Sequence, residues 1–234
     1  MPGPLTVALA QPACIDLDIA ANAAEHARLV RAAGARLVVF PELSLTGYDL
    51  KAPAITVDDE RLAPISEACR ETGSVALVCV ALAEADGTES LALLALDGAE
   101  VSAVYRKMHL HGLEVERFTP GGEYTVLELD GRRIGLAICA DVSFPEHAAA
   151  TAALGIEAYL GSTLYGDNEV AIERRDSHVS SAAAAHEVWG LLANGAGPSG
   201  EFANTCGGSG FWSPGGTLVA QAGRETGAVV RYTI

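Results

Sequence analysis

A glutamate, a lysine and a cysteine each follow an apolar segment of the sequence: Glu42, Lys107 and Cys139. A cysteine can attack a carbonyl carbon, a carboxylate can carry protons, and an ammonium can stabilise the oxyanion that forms. Together these residue types can hydrolyse an acyl compound by nucleophilic catalysis. Taken one at a time each has an ordinary interpretation, because a lone cysteine is most often a packed apolar residue and single charges are usually solvated.

The segment that follows Cys139 predicts the start of a helix. It reads Asp141-Val142-Ser143-Phe144-Pro145-Glu146, where Asp or Ser can cap a helix and Pro is tolerated in the first turn. A cysteine between a buried strand and a helix resembles a nucleophile elbow, in which a sharp turn exposes the side chain. The helix dipole and a nearby ammonium lower a thiol pKa from about 8.5, so we expect Cys139 to have a large thiolate fraction near neutral pH.

The order of the predicted elements indicates an α/β fold. Strands are predicted at 5–10, 36–40, 75–82, 90–96, 100–105, 126–129, 133–138, 156–160 and 189–193, helices at 16–35, 59–72, 144–154 and 168–187, and two or three further strands in 207–234. The second half loosely repeats the first, which predicts a four-layer α-β-β-α sandwich with two central mixed sheets. Since α/β sheets carry their chemistry beyond the carboxyl ends of strands, Glu42, Lys107 and Cys139 are expected to meet at one edge.

Three segments resemble the signature motifs of the carbon-nitrogen hydrolase (nitrilase) superfamily, and they occur in the same order. They are Phe40-Pro41-Glu42-Leu43-Ser44-Leu45-Thr46-Gly47-Tyr48, Tyr105-Arg106-Lys107-Met108-His109-Leu110 and Cys139-Ala140-Asp141-Val142-Ser143-Phe144-Pro145-Glu146. Shorter matches are Phe118-Thr119-Pro120-Gly121, Ala193-Asn194, Gly208-Ser209 and Pro214-Gly215-Gly216. The resemblance therefore spans nearly the whole chain.

The resemblance implies a role for each candidate catalytic residue. Cys139 would be the nucleophile, Glu42 the general base and acid, and Lys107 the cation that stabilises the oxyanion, assisted by the backbone N–H of Ala140. A second glutamate usually lies four positions before the Phe-x-Pro-Gly element, which selects Glu114 over Glu116 and implies that it positions Lys107. Candidate pocket residues are Tyr48, Phe144 and Thr163.

The implied reaction is the hydrolysis of a small-molecule amide through a thioester, with release of ammonia and a carboxylic acid. No metal or organic cofactor is implied, and His109 would brace the loop after Lys107. True nitrilases typically have Cys-Trp-Glu where this chain has Cys139-Ala140-Asp141, which favours amides over nitriles. An N-carbamoyl amide hydrolase, a nitrilase and an inactive binding or scaffold relative remain the alternatives.

Two positions depart from the pattern of many amidases in the family. Those amidases carry an aromatic residue after the cysteine and an arginine before Phe-Pro-Glu, whereas this chain has Ala140 and Ser143. Neither position supplies a catalytic side chain. We therefore expect the departures to change the shape of the substrate pocket and its usual salt bridges.

Composition excludes several classes of partner. A net charge of −15 disfavours nucleic acid and anionic membranes and favours a small neutral or weakly charged substrate. The five cysteines are odd in number and lack a CxxC pair, which argues against zinc and a disulfide framework. No apolar run of about 18 residues predicts a membrane span, and the N-terminus lacks the pattern of a signal peptide.

The organisation of the protein is predicted from its length and from the resemblance. With 234 residues, half of them apolar, we expect one domain over residues 1–234, located in the cytoplasm. Members of the family usually dimerise through helices near the cysteine, which implies a homodimer. Many also extend a C-terminal tail across the partner, and because this sequence ends at Tyr232-Thr233-Ile234 with almost no tail, larger spiral assemblies are not expected.

Overall fold

Short and almost wholly apolar runs form the inner strands of two sheets. The protein is described by a computed structural model of residues 3–234. The strands are β1 (Thr6–Gln11), β2 (Leu37–Val39), β3 (Val75–Ala83), β4 (Glu89–Leu96), β5 (Val101–Arg106), β6 (Val126–Leu129), β7 (Arg132–Ile138), β8 (Ala158–Thr163), β9 (Trp189–Asn194), β10 (Ala196–Ser199), β11 (Phe202–Cys206), β12 (Gly210–Trp212), β13 (Leu218–Gln221) and β14 (Ala228–Thr233). The α-helices are α1 (Ile19–Ala33), α2 (Ala63–Thr72), α3 (Pro145–Ala152) and α4 (Glu169–His186).

The two large sheets have matching topologies. The first has the strand order β14-β1-β2-β3-β4-β5, and the second has the order β13-β12-β9-β8-β7-β6. In each sheet three central strands are parallel and the outer strands are antiparallel. The prediction of two central mixed sheets is confirmed, and β14, from the end of the chain, completes the first sheet.

Apolar side chains fill three layers of core. Between the sheets, residues such as Leu9 and Leu77 of the first sheet pack with Leu136 and Leu160 of the second. On the outer faces, α1 and α2 cover the first sheet, and α3 and α4 cover the second. Each fully buried Leu or Val contributes about 1.5–3 kcal/mol, so these faces hold the four layers together. The predicted α-β-β-α sandwich is confirmed.

The segment 195–207 differs from its prediction. It contains the antiparallel hairpin β10–β11, which was not predicted because a run rich in glycine reads as a loop. The register of the hairpin shifts between Gly197 and Ser199. It therefore lacks the regular alternation of apolar and polar residues by which strands are identified in a sequence.

Two element bounds matter for the site. Strand β8 continues to Thr163, so this residue lies inside the sheet and not in the loop after it. A short 3-10 helix, Cys139–Ser143, precedes α3, so Cys139 begins that turn and not the α-helix. None of the helices in residues 3–234 has the length and apolar character needed to cross a membrane.

Candidate active site

The ends of three strands bring Glu42, Lys107 and Cys139 together. Cys139 directly follows β7, Lys107 directly follows β5, and Glu42 follows β2 after Phe40 and Pro41. The hydroxyl of Ser162 on β8 donates a hydrogen bond to the carbonyl oxygen of Phe40 at 2.8 Å. This bond ties the end of β8 in the second sheet to the end of β2 in the first. The expected meeting of the three residues is therefore found where both sheets end.

Glu42, Lys107 and Glu114 form a buried cluster of charges. The Nζ of Lys107 lies 2.7 Å from Oε1 of Glu42 and 2.8 Å from Oε1 of Glu114. All three side chains are almost completely excluded from solvent. The structure thus places Glu114, the glutamate selected in the sequence, against Lys107.

Glu114 is held on both of its oxygens. The hydroxyl of Tyr48 donates to Oε1 at 2.6 Å, and the backbone N–H of His111 donates to Oε2 at 2.7 Å. Burial, followed by the charges of Glu42 and Glu114, raises the pKa of Tyr48, so its hydroxyl stays protonated and remains a donor. These contacts fix the Glu114 carboxylate, and through it the position of the Lys107 ammonium.

The pKa values of Glu42 and Lys107 are both raised. Burial is the main cause for Glu42, and Lys107 opposes it. Burial alone would lower the pKa of Lys107, but Glu42 and Glu114 raise it above its ordinary value. Lys107 is therefore a permanent cation at neutral pH. Its partner Glu42 takes up a proton more readily than an exposed glutamate does.

Cys139 occupies a strained turn at the floor of the site. Its φ of 41° lies in the left-handed region, which a residue with a side chain seldom adopts. This is the sharp turn expected of a nucleophile elbow, and it leaves the residue partly exposed. The Sγ lies 3.8 Å from the carbonyl oxygen of Leu164.

The prediction of a lowered thiol pKa is wrong. Burial raises the pKa of Cys139 well above its usual value, the negative charge of Glu42 raises it further, and Lys107 opposes both. A single 3-10 turn also offers a smaller dipole than the α-helix that the sequence suggested. The resting cysteine is therefore a neutral thiol.

One oxygen of Glu42 is left without a partner. Its Oε2 is buried and accepts no hydrogen bond from any group in residues 3–234. A buried carboxylate oxygen without a donor costs free energy, so such an atom calls for an explanation. Because Glu42 also acts on the pKa of Cys139, this oxygen is a candidate acceptor for a proton that leaves or enters the site.

Asp141 joins the cysteine turn to the loop that follows Lys107. Its Oδ1 accepts from the backbone N–H of His109 at 2.8 Å and lies 2.9 Å from Nδ1 of the same residue. Its Oδ2 accepts from the hydroxyl of Tyr105 at 2.7 Å and from the backbone N–H of Ile138 at 3.0 Å. The Asp141 carboxylate thus fixes Cys139 relative to Lys107. His109 braces its loop as the resemblance implied.

The Phe-x-Pro-Gly element closes the other side of the Lys107 loop. Phe118 packs beside Leu43 in a small apolar cluster, and its backbone N–H donates to the carbonyl oxygen of Glu114 at 2.8 Å. Gly121 donates to the carbonyl oxygen of Lys107 at 2.8 Å. A Cβ at position 121 would come within 2.3 Å of the backbone oxygen of Arg106, so only glycine fits.

Asn194 holds the loop beyond β8 that faces Cys139. Its side-chain oxygen accepts from the backbone N–H of Tyr165 at 2.9 Å, and its Nδ2 donates to the carbonyl oxygen of Gly207 at 2.8 Å. The backbone N–H of Asn194 donates to the hydroxyl of Ser209 at 2.9 Å. The late motifs of the resemblance, Ala193-Asn194 and Gly208-Ser209, therefore support the position of Leu164 and Tyr165 beside Cys139.

A cavity of about 520 Å³ opens above these groups. Its lining consists of Glu42, Tyr48, Lys107, His111, Glu114, Cys139, Ala140, Ser143, Leu164, Tyr165, Asn168, Val170, Ala171, Arg174, His178 and Phe202. The four predicted catalytic residues line it together with Tyr48 and Ala140. No group of three or more His, Cys, Asp or Glu side chains suited to a metal ion occurs in residues 3–234.

Two predicted pocket residues lie outside this lining. Thr163 is fully buried in β8, where its hydroxyl donates to the carbonyl oxygen of Ala193 at 3.1 Å. Phe144 is exposed, and its ring stacks on His109 with ring centroids 4.0 Å apart. The structure contradicts the prediction that they line the pocket. Thr163 supports the sheet and Phe144 covers the His109 loop.

The outer wall of the cavity was not predicted from the sequence. Arg174, His178 and the flanking residue Val170 lie on one face of α4, and Tyr165 lies just before this helix. Their spacing of four residues predicts that they share one face of the helix, but the sequence does not show which part of the protein that face contacts. Ser143, identified only as a departure from the usual pattern, lines the same wall.

Comparison with known proteins identifies the family and agrees with the fold. The carbon-nitrogen hydrolase family model matches residues 6–234. A hydrolase in the pqqF 5' region of Pseudomonas protegens is 30% identical over 245 residues, which cover 97% of this chain and 81% of the relative. An (R)-stereoselective amidase from Pseudomonas sp. is 28% identical over 194 residues, which cover 81% of this chain and 69% of the relative.

Solved structures give the same result. The crystal structure of an amidase from Nesterenkonia sp. matches with a TM-score of 0.86 and 26% identity, covering 98% of this chain and 90% of that one. The family match extends over nearly the whole chain, and the structural match reproduces the four layers. The chain therefore belongs to the carbon-nitrogen hydrolase family, in its amidase-like branch.

Proposed function

We propose that this enzyme hydrolyses small-molecule amides through a thioester on Cys139, releasing ammonia and a carboxylic acid. The observation that carries the proposal is the buried cluster of Glu42, Lys107 and Glu114 beside a cysteine at the floor of a cavity. It supplies a nucleophile, a proton carrier and a fixed positive charge in one place.

In the first step, Sγ of Cys139 attacks the amide carbonyl carbon while its proton passes to Glu42. The raised thiol pKa makes a base necessary, and the unpartnered Oε2 of Glu42 can accept the proton. The carbonyl π electrons move to oxygen, and the resulting oxyanion is stabilised by Lys107 and by the backbone N–H of Ala140. That N–H is available because the first N–H groups of a helix have no partner within it.

In the second step, the tetrahedral intermediate collapses to a thioester. The proton on Glu42 passes to the amide nitrogen, the C–N bond breaks, and ammonia leaves. The raised pKa of Glu42 suits it to this role as an acid. Water then adds to the thioester as Glu42 takes its proton, and the C–S bond breaks as Glu42 returns that proton to sulfur. The products are the carboxylic acid and the free thiol.

Glu114 contributes by fixing the position of Lys107. Its carboxylate contacts Nζ at 2.8 Å and is itself held by Tyr48 and by the backbone of His111. A cation that is already in place needs no reorganisation when negative charge develops on the carbonyl oxygen. We therefore assign Glu114 as a positioning residue.

A solved relative supports the amide reaction. A variant of the amidase from Nesterenkonia sp. AN1, in which a glutamate is replaced by glutamine, shows covalent addition of the acetamide moiety of fluoroacetamide at its active-site cysteine. A variant of that amidase, in which a cysteine is replaced by alanine, has been solved in complex with butyramide. An N-carbamoylputrescine amidase from Solanum tuberosum is 32% identical over 180 residues, which cover 69% of this chain and 59% of the relative, and this keeps N-carbamoyl compounds among the candidate substrates.

The test is ammonia release from a panel of short aliphatic amides, ω-amides of dicarboxylic acids and N-carbamoyl compounds. We expect the wild type to release ammonia from at least one, and Cys139→Ala to release none. Carbon dioxide released together with ammonia identifies an N-carbamoyl substrate. Mass spectrometry of the intact protein should show an acyl or alkyl adduct on Cys139 with an amide substrate or iodoacetamide. Absence of both ammonia and adduct in the wild type would refute the proposal.

We also propose that the enzyme is a homodimer. The support is the resemblance to a family whose members usually dimerise through helices near the cysteine, together with the exposed apolar side chains of Phe144 and Leu154 just outside the two ends of α3, each 42% exposed. Light scattering measures the mass directly, and a monomer at micromolar concentration would contradict this proposal. Location in the cytoplasm stays a prediction.

A further inference from the structure

We propose that Arg174 and His178 form a second subsite, which binds a carboxylate on the acyl portion of the substrate. The preferred substrates are then monoamides of short dicarboxylic acids. This inference rests on the proposed amide hydrolysis and names its substrate class.

Arg174 differs from the other arginines of the protein. Every arginine in residues 3–234 except Arg174 and Arg231 forms a salt bridge with a carboxylate. Both side chains are exposed, but Arg231 lies on the edge strand β14, whereas Arg174 lines the active-site cavity. A guanidinium presents five donors in a planar fork that matches a carboxylate. No carboxylate in the described residues pairs with Arg174, so the cavity retains a cation without a salt bridge.

His178 adds a neutral donor one turn along the same face of α4. Its Nδ1 lies 3.1 Å from the hydroxyl of Tyr165 and 3.4 Å from the hydroxyl of Ser143. Burial, followed by the positive charge of Arg174, lowers the pKa of His178, so the ring is neutral at pH 7. If Nδ1 accepts from Tyr165, the proton resides on Nε2, which is then a donor. Nε2 makes no hydrogen bond in the described part of the chain.

Tyr165 connects this subsite to the reacting centre. The residue before it, Leu164, contacts Sγ of Cys139 through its carbonyl oxygen, and the charge of Cys139 acts on the pKa of Tyr165. The hydroxyl at the far end of the ring contacts His178. Cys139, Tyr165, Arg174 and His178 line the same cavity, so one short substrate can contact both the thiol and the subsite.

The charges that line the cavity favour such a substrate. At the deep end, Glu42, Lys107 and Glu114 leave a net negative charge when both carboxylates are ionised, which suits a neutral amide group and repels a carboxylate. At the α4 end, Arg174 is the cation, and the α4 carboxylates Glu169 and Glu173 do not line the cavity. A substrate with an amide at one end and a carboxylate at the other is therefore bound in a single direction.

Binding is measured in Cys139→Ala, which cannot turn over the ligand, by titration calorimetry with two ligands of equal length. These are the monoamide of glutaric acid and pentanamide, which lacks the carboxylate. We expect the monoamide to bind about 5- to 10-fold more tightly, because solvent partly screens an ion pair with the exposed Arg174. Adding Arg174→Gln should reduce this ratio to near one. Adding Arg231→Gln, which removes an unpaired arginine outside the cavity, should leave the ratio unchanged.

The outcomes separate this inference from the proposed function. Equal affinity for the two ligands, or a ratio that Arg174→Gln does not change, overturns the subsite. If the wild type nevertheless releases ammonia from pentanamide, amide hydrolysis stands without the subsite. If the monoamide binds through Arg174 but the wild type releases no ammonia from it, the subsite stands and the hydrolytic assignment fails.

Discussion

Glu42 and Lys107 form an ion pair 2.7 Å long with no solvent exposure on either side chain. Burying two charges costs several kcal/mol per ion, and their attraction together with other hydrogen bonds only offsets that cost. Apolar residues of similar size would fill the space at least as stably. The pair is therefore better explained by chemistry at Cys139 than by stability of the fold.

Removing the cation should destabilise the protein strongly. Lys107→Met leaves the carboxylates of Glu42 and Glu114 buried without their partner, and breaking a buried pair costs about 3–5 kcal/mol. Urea denaturation measures the free energy of unfolding. Lys51→Met is the matched control, because Lys51 is exposed, and should change that free energy by less than about 0.5 kcal/mol. Equal values for the two variants would show that the cluster is not charged as described.

Tyr48→Phe tests how Glu114 is held. The substitution removes one donor to Oε1 of Glu114 and leaves Lys107 and the backbone of His111 in contact with the carboxylate. We expect kcat/KM for the best amide to fall about 5- to 10-fold, which corresponds to one hydrogen bond of about 1–1.5 kcal/mol. Tyr124→Phe deletes the same atom from an exposed residue and should leave kcat/KM unchanged. A larger loss for Tyr124→Phe than for Tyr48→Phe would contradict the assignment.

Asp141→Asn tests the link between the cysteine turn and the Lys107 loop. An asparagine has one acceptor oxygen, so its NH₂ group must face donors that now contact either Oδ1 or Oδ2. We expect the free energy of unfolding to fall by about 1–3 kcal/mol and kcat to fall more than KM rises. The control is Asp130→Asn, since Asp130 pairs with Arg36 on the surface at a positive φ that asparagine tolerates. An unchanged kcat in Asp141→Asn would remove Asp141 from the positioning network.

The sequence predicted the parts of this site that depend on strand ends. Glu42, Lys107 and Cys139 could be placed because a buried apolar run that stops at a polar residue defines a position along one strand. Thr163 could not be placed in this way. The strand β8 was predicted to end at residue 160, but it continues to Thr163, so this residue belongs to the sheet and not to the loop. When a strand and the residues that follow it are both buried, the sequence shows no change in polarity at the point where the strand ends.

Properties that depend on tertiary packing were not predictable. The thiol pKa of Cys139 is set by burial and by Glu42, which lies almost a hundred residues away in the chain, and local pattern gave the wrong sign. Likewise, the helical period of α4 places Arg174 and His178 on a common face, but only the packing of α4 on the second sheet aims that face into the cavity. The order of the motifs was enough to identify the family, whereas the outer wall of the cavity could be identified only from the folded structure.

The raised pKa of Cys139 makes a final prediction about stability at alkaline pH. A group whose pKa is higher in the folded than in the unfolded state stabilises the fold at pH values below its unfolded pKa, and this contribution is lost as pH rises. The thiol of an unfolded chain ionises at about pH 8.5, whereas the folded thiol stays protonated well above that value. The wild type should therefore lose stability relative to Cys139→Ser as pH rises from about 8 to 10, because serine does not ionise in this range.

The measurement is the free energy of unfolding in urea under reducing conditions, taken for both proteins at several pH values. Lys107 and the other four cysteines are common to both, so the difference between the two curves isolates the Cys139 thiol. The slope of that difference should approach about 1.4 kcal/mol per pH unit once the unfolded thiol is fully ionised. A difference that stays constant from pH 8 to 10 would mean that the folded thiol ionises as readily as the unfolded one, and the resting cysteine would then be no more protonated than a free thiol.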